Sequence, residues 1–430
     1  MLKSIPKRLI DRAKELEQYY EKAYPKMAPL AGRCFLNTIE TTVKQLEDGS
    51  YFVITGDIPA MWLRDSGAQV RHYIKYAKED RELDAVIRGV LEKQIEFVLL
   101  DPYANAFNEA FNGRGHKDET LCNDGVWERK YEVDSLCAPL YSAYRYWKET
   151  GTTDIFQEDF LKMVKKIIEV FRTEQDHCAN SPYSFQRFNC AETDTLPGEG
   201  KGNIVVPCGM TWSGFRPSDD RCIYGYLVPS NMMAVQALNY AAEIMAAFYS
   251  TENTGAECSR LAEEIKRGIE EKAIVRYPEI GDIYAYETDG MGNYVLMDDA
   301  NSPSLLAIPY LGYADTEDEM YKRTRNFVLS KENPYYFEGT MAKGVGSPHT
   351  TGGYVWCIGI IMQALTSTNR EEILQCLEML AETHADTNFM HESFNPDNPE
   401  EYTRPWFAWA NSLLGELLDN LMDKGFFKEQ

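Results

Sequence analysis

The segment MWLRDS, Met61–Ser66, sets an indole, a guanidinium and a carboxylate within four residues at the start of a helical pattern. A helix that only packed would place Leu or Val there. Arg64 and Asp65 alone could be a surface pair, but Trp62 would then be exposed or buried beside a charge. A cleft in which Asp65 takes paired hydroxyls, Arg64 holds it, and Trp62 offers a ring face accounts for all three together. Two further segments carry acids among aromatics. In FRPSDD, Asp219 and Asp220 are adjacent and follow Arg216 and Pro217; in HESF, Glu392 stands between His391 and Ser393. Neighbouring acids discourage double ionisation, so one of them keeps a proton more readily and can donate it. By itself SDD also reads as a helix N-cap, and Glu392 as a loop acid. His349, in GSPHT, is a candidate hydroxyl partner or a structural histidine. Together these segments fit glycoside hydrolysis, which needs one protonated and one ionised carboxyl.

Other chemistries find little support. Six histidines are scattered, and no HExxH, EF-hand loop or compact His/Asp cluster gives metal-ligand spacing, so no metal and no cofactor are expected. GEGKGN, residues 198–203, lacks the spacing of a phosphate-binding loop, and no GxSxG elbow occurs. A net charge of −23 opposes binding to nucleic acid and to anionic membranes but not to a neutral sugar. Ten cysteines without a CxxC pair suggest reduced, buried thiols. The N-terminal segment has no apolar signal-peptide core, and the reading is cytoplasmic.

These residues must be positioned by helices, because helical periodicity dominates. Amphipathic segments include RCFLNTIETTVKQLEDG, AQVRHYIKYAKE, ELDAVIRGVLEKQIEFVLLD, SLCAPLYSAYRYWKETG and WFAWANSLLGELLDNLMD. Strand-like runs are short: YFVITG, GNIVVPCG and GNYVLMDD. Brief turns such as KETGTTDIF and TSTNREE alternate with long Gly-, Pro- and aromatic-rich segments at 101–128, 181–217, 277–304 and 332–350. Long connections are usually functional. The alternation predicts helical hairpins around an axis, with a site at the long-loop end. No fixed repeat supports a solenoid, and no linker divides residues 1–430, so one all-α domain is expected.

GDIPAMWLRDS, WERKYEVDSL, MTWSGFRPSDD, YLVPSNM, MHESF and WFAWAN, in this order, resemble glycoside hydrolase family 125, the metal-independent exo-α-1,6-mannosidases. The resemblance runs from about residue 30 to the C-terminus. It implies an (α/α)6 barrel and inverting removal of terminal mannose from N-glycan-derived or other manno-oligosaccharides, without a cofactor. Carried onto this sequence, it puts the general acid at Asp219, with Asp220 as its neighbour or substitute, and the base at Glu392. Trp62, Arg64, Asp65, Arg216 and His349 fall on the sugar-binding part of the cleft. Two other readings are another inverting (α/α)6 glycosidase, such as an α-glucosidase, and a non-catalytic sugar-binding protein.

Overall fold

The computed structural model describes residues 2–116, 118–250 and 253–428. Helices α1 (Lys7–Ala23), α2 (Ala28–Thr41), α3 (Leu63–Val70), α4 (Arg81–Leu100), α5 (Val133–Thr150), α6 (Glu158–Glu174) and the one-turn α7 (His177–Asn180) form the first half. The second half holds α8 (Val228–Phe248), α9 (Thr254–Lys272), α10 (Ile308–Leu311), α11 (Glu319–Val328), α12 (Cys357–Leu365), α13 (Arg370–Glu382) and α14 (Ala408–Asp423).

The helices pair by short connections at one end of the molecule. Gly151, at φ 74°, closes α5 in the left-handed conformation that glycine adopts freely. Asp80 and Asn369 cap α4 and α13, each side chain accepting two backbone N–H bonds from the first turn. The first members of the pairs (α3, α5, α8, α12 and α14) form an inner ring, in which α3 packs on α5, α5 on α8, and α14 on both α3 and α12. Their partners lie outside them. The inner position of α8 explains its composition: apolar and small residues occur all round, and most of Val228–Met245 is buried. α14 closes the ring between α12 and α3 and also packs on α2, which in turn packs on α1. Arg12 on α1 is bonded there to Asp419, at 2.7 Å from Nε, and Tyr76 donates to the same carboxylate at 2.9 Å.

The long connections gather at the opposite end, as their lengths predict. They carry three small antiparallel sheets, each contributing a two-residue strand directly before an inner helix: Met61–Trp62 before α3, Tyr226–Leu227 before α8 and Val355–Trp356 before α12. The site end is therefore the N-terminal end of the inner ring.

Three local expectations change. The helical segment read over residues 33–49 stops at Thr41, and Val43–Gln45 pairs with Tyr51–Val53; the β-branched run Thr41–Val43 suits a strand better than a helix end. The segment after Val70 tightens into a 3₁₀ turn through Glu79. GNIVVPCG is extended but pairs with no strand, and Ile204 in it is 75% exposed. No cysteine is disulfide-bonded, and six of the ten are buried. Among the described residues no helix is long and apolar enough to cross a membrane.

Candidate active site

A cleft opens at the N-terminal ends of α3, α12 and α14. Trp62, Trp356 and Phe407, each the residue immediately before one of these helices, supply its ring faces. Trp409, one residue into α14, stands between this cleft and a second cavity lined by the inner helices; Arg64 shares that wall. Gly56 lets the loop before Trp62 reach the cleft. It has φ 135° and faces Trp406, whose carbonyl oxygen would lie 2.3 Å from any Cβ at that position.

Arg64 points inward from the first turn of α3. Its Nη1 donates to Glu132 Oε2 at 2.5 Å and Asp134 Oδ2 at 3.0 Å, while Nη2 lies 3.5 Å from Asp65 Oδ2. All four side chains are buried. Asp65 is left with a buried Oδ2 that has no hydrogen-bond partner in the protein, and the Nε1 of Trp62 is unpartnered too. Such groups are costly without a partner, and both residues line the cleft. Burial raises Asp65 to about 6, against the attraction of Arg64.

The two acid-bearing segments converge here from distant parts of the chain. Residues 215–221 form a tight turn rather than a helix start. Arg216 N donates to Asp220 O at 2.8 Å and Asp219 N to Arg216 O at 2.9 Å, with Asp219 at φ 68°. Asp tolerates that left-handed conformation better than most residues, and the turn directs Asp219 into the cleft. Lys130 donates to the Asp219 carbonyl at 2.7 Å, and Asn105 Nδ2 lies 3.2 Å from Asp219 Oδ1. Glu392 lines the cleft as well. Its Oε2 accepts from Thr403 at 2.9 Å, and Arg404 Nη1 approaches Oε1 at 3.4 Å. Arg404 also grips Asp57 through Nε and Nη2 and lies 4.6 Å over the ring of Phe407.

Of the residues singled out from sequence, Trp62, Arg64, Asp65, Asp219, His349 and Glu392 meet in this one cleft. Asp220 is turned away from it: its Oδ1 pairs with His349 Nδ1 at 3.0 Å. That bond, Asp219 and Glu392 outweigh the desolvation of the ring and raise His349 to about 9, which places a cation beside the acids. Arg216 is not a cleft residue. It is buried in an ion pair with Glu287, Nε to Oε1 2.6 Å, and Glu287 Oε2 accepts the N–H groups of Ile223 and Tyr224 at 2.8 Å. Arg216 therefore holds the turn that bears Asp219, and its spacing from SDD could not distinguish that role from sugar contact. Sequence reasoning passed over Arg404, Asp57, Asn105, Asn301 and Trp356, whose partners are hundreds of residues away or carry no local pattern. Among the described residues, no group of three or more His, Cys, Asp or Glu is arranged to hold a metal ion.

Residues 24–418 match the family described as metal-independent alpha-mannosidase (GH125), and the chain belongs to that family. A Streptococcus pneumoniae structure of this family, described as a non-productive substrate complex with alpha-1,6-mannobiose, is 47% identical. It covers 98% of this chain and 100% of its own, with a TM-score of 0.94. The meiotically up-regulated gene 157 protein of Schizosaccharomyces pombe is 38% identical over 425 residues, 93% of this chain and 82% of its own. A bacterial glucoamylase complexed with acarbose shares the fold at 11% identity and TM-score 0.58, covering 97% of this chain and 57% of its own. The fold is thus the (α/α)6 barrel that the family resemblance implies, in agreement with the hairpins around an axis expected from the helix pattern and loop alternation.

Proposed function

We propose that this alpha-mannosidase removes terminal α-1,6-linked mannose with inversion, Asp219 protonating the glycosidic oxygen and Glu392 activating water. The observation that carries this reading is the convergence of Asp219 and Glu392, 173 positions apart in the sequence, on one cleft floored by Arg64 and Asp65. Glu392 receives bonds from Thr403 and Arg404 that suit an ionised base. Asp65, Arg64 and Trp62 present an acceptor, a cation and a ring face to one sugar, and His349 offers a further donor. The linkage is supported by the pneumococcal relative, whose complex contains alpha-1,6-mannobiose and whose description refers to N-linked glycans. N-glycan-derived manno-oligosaccharides are accordingly the proposed substrates.

The test is proton NMR of wild type and Glu392→Gln with α-1,6-mannobiose. β-Mannose appearing first with wild type, and no product with the variant, is the expected result. α-Mannose as the first product would refute inversion; an untouched disaccharide, with cleavage of another α-linked sugar, would refute the linkage.

A further inference from the structure

The cavity beyond Trp409 leads away from the active site. Arg64 and Trp409, in the first turns of α3 and α14, separate it from the cleft. Its other end carries Arg71, directly after α3, and Arg145, in the last two turns of α5. The helical rise puts Arg71 about 10 Å further along the barrel than Arg64. Much of the remaining wall is apolar and includes Met233, Met362 and Leu413.

Charge does not balance at that far end. Among the described residues, Glu416 of α14 is the one carboxylate within ion-pair distance of either arginine. Arg71 Nε lies 3.2 Å from its Oε1, and Arg145 Nη1 lies 3.7 Å from the same oxygen. Its Oε2 accepts from the Tyr310 hydroxyl at 2.8 Å. Arg71 is also held 4.1 Å over the Tyr310 ring. Arg145 is supported less well: 3.7 Å is too long for a hydrogen bond, and its Nε is buried with no hydrogen-bond partner. Glu149, the other acid near Arg145, is exposed to solvent. The Tyr141 hydroxyl, on the same wall, is already donated to Leu311 O at 2.7 Å. Burial and Arg71 both oppose the charge on Arg145, yet a guanidinium does not give up its proton in a protein. Two cations thus share one carboxylate at the end of an apolar cavity.

We propose that this end of the cavity binds a small monovalent anion, chloride or a short carboxylate, between Arg71 and Arg145. One negative charge offsets the surplus of one, and an acceptor there gives Arg145 Nε the partner that the protein does not supply. The apolar wall strengthens such contacts by lowering the local dielectric. A carboxylate can engage a guanidinium fork through both oxygens and lay its short chain against Met233, Met362 and Leu413; chloride needs the guanidiniums alone. Arg64 and Trp409 stand between this site and the sugar, so the anion is no competitor of mannose, and the proposal is independent of how the glycosidic bond is cleaved.

The experiment is differential scanning calorimetry of the full chain in sodium gluconate, chloride and acetate at one ionic strength. An anion bound with a dissociation constant of about 1 mM and present at about 100 mM raises the midpoint by about 3 °C over bulky gluconate. The salt that gives the larger rise identifies the ligand as halide or carboxylate. Arg145→Gln removes the rise. No rise over gluconate in wild type, or an equal rise in Arg145→Gln, would overturn the proposal. Crystals of wild type soaked in bromide or in acetate give a readout without substitution. Anion density between Arg71 and Arg145 in either soak supports the proposal; density in neither, or only in the cleft beside His349 and Arg404, refutes it.

Discussion

Replacing Arg64 with Met keeps an unbranched side chain and removes its charge from a site that contains three carboxylates. Glu132 and Asp134 have fully buried side chains and Asp65 is 8% exposed, so none can recover its countercharge from water. Some bonds survive: Ser135 and Asn105 still reach Glu132, and Ser230 still donates to Asp134 at 3.0 Å. These neutral donors do not replace the charge. Removing one member of a buried ion pair costs about 3–5 kcal/mol, and with those donors retained the lower half of that range is expected at pH 7.5. In urea this corresponds to a fall in the unfolding midpoint of roughly 1 M. The deficit has a predicted pH dependence. Without Arg64, Asp65 and Glu132 are held still further above their unfolded values, so the variant binds more protons when folded than the wild type does. Its stability is fully present below about pH 4 and is lost as pH rises through the raised folded values, so the gap to wild type narrows toward pH 5. Urea titrations of both proteins at pH 5 and 7.5, followed by tryptophan fluorescence, measure this. A midpoint within about 0.2 M of wild type at pH 7.5, or a deficit that does not shrink on acidification, would refute the reasoning. Arg64→Lys, which restores charge without the forked geometry, should recover part of the loss.

Other predictions follow the same residues. Asp219→Asn and Glu392→Gln should each lower kcat on mannobiose by about 10²–10⁴-fold, with unchanged circular dichroism. Asp65, raised to about 6 by burial, adds stability that is fully present below about pH 4 and lost as pH climbs through 6. Asp65→Asn should therefore gain about 2 kcal/mol on wild type between those limits, as read from denaturant midpoints across that pH range. Gly56→Ala, which drives a Cβ against the Trp406 carbonyl at a φ of 135°, should cost about 1–3 kcal/mol and raise KM. Dialysis against a chelator should leave activity unchanged.

The parts of the molecule legible in sequence were those that a local pattern encodes. Long amphipathic helices, the alternation of short and long connections, and the acid-bearing loops all have signatures within a few residues of one another. The two-residue strands leading into α3, α8 and α12 have none, because so few residues show no periodicity, and their pairing partners lie elsewhere in the chain. Site residues divide in the same way. Trp62, Arg64 and Asp65 stand out because each looks out of place beside the others. Arg404 is an unremarkable loop arginine until its fold partners, Asp57 and Glu392, are known. Arg216 was misplaced for the converse reason: it neighbours the acids in sequence, yet its charge is spent on Glu287. Glu132 lies within a motif whose resemblance could be recognised, but only its bond to Arg64 gives it a part to play.

The closure of the inner ring by α14 has a bearing on synthesis. Until residues 390–423 emerge from the ribosome, α3 and α12 have no helix between them, α2 lacks the partner on which it packs, and Glu392, Arg404, Phe407 and Trp409 have not reached the cleft. A nascent chain is then an open arc of hairpins with two apolar flanks and half a binding site. Joining α2 to α14 spans almost the whole sequence, the kind of distant contact that slows folding. Such an arc exposes the surface to which chaperones and aggregation partners bind. Catalytic competence and protection of the core therefore arrive together, once α14 has been made.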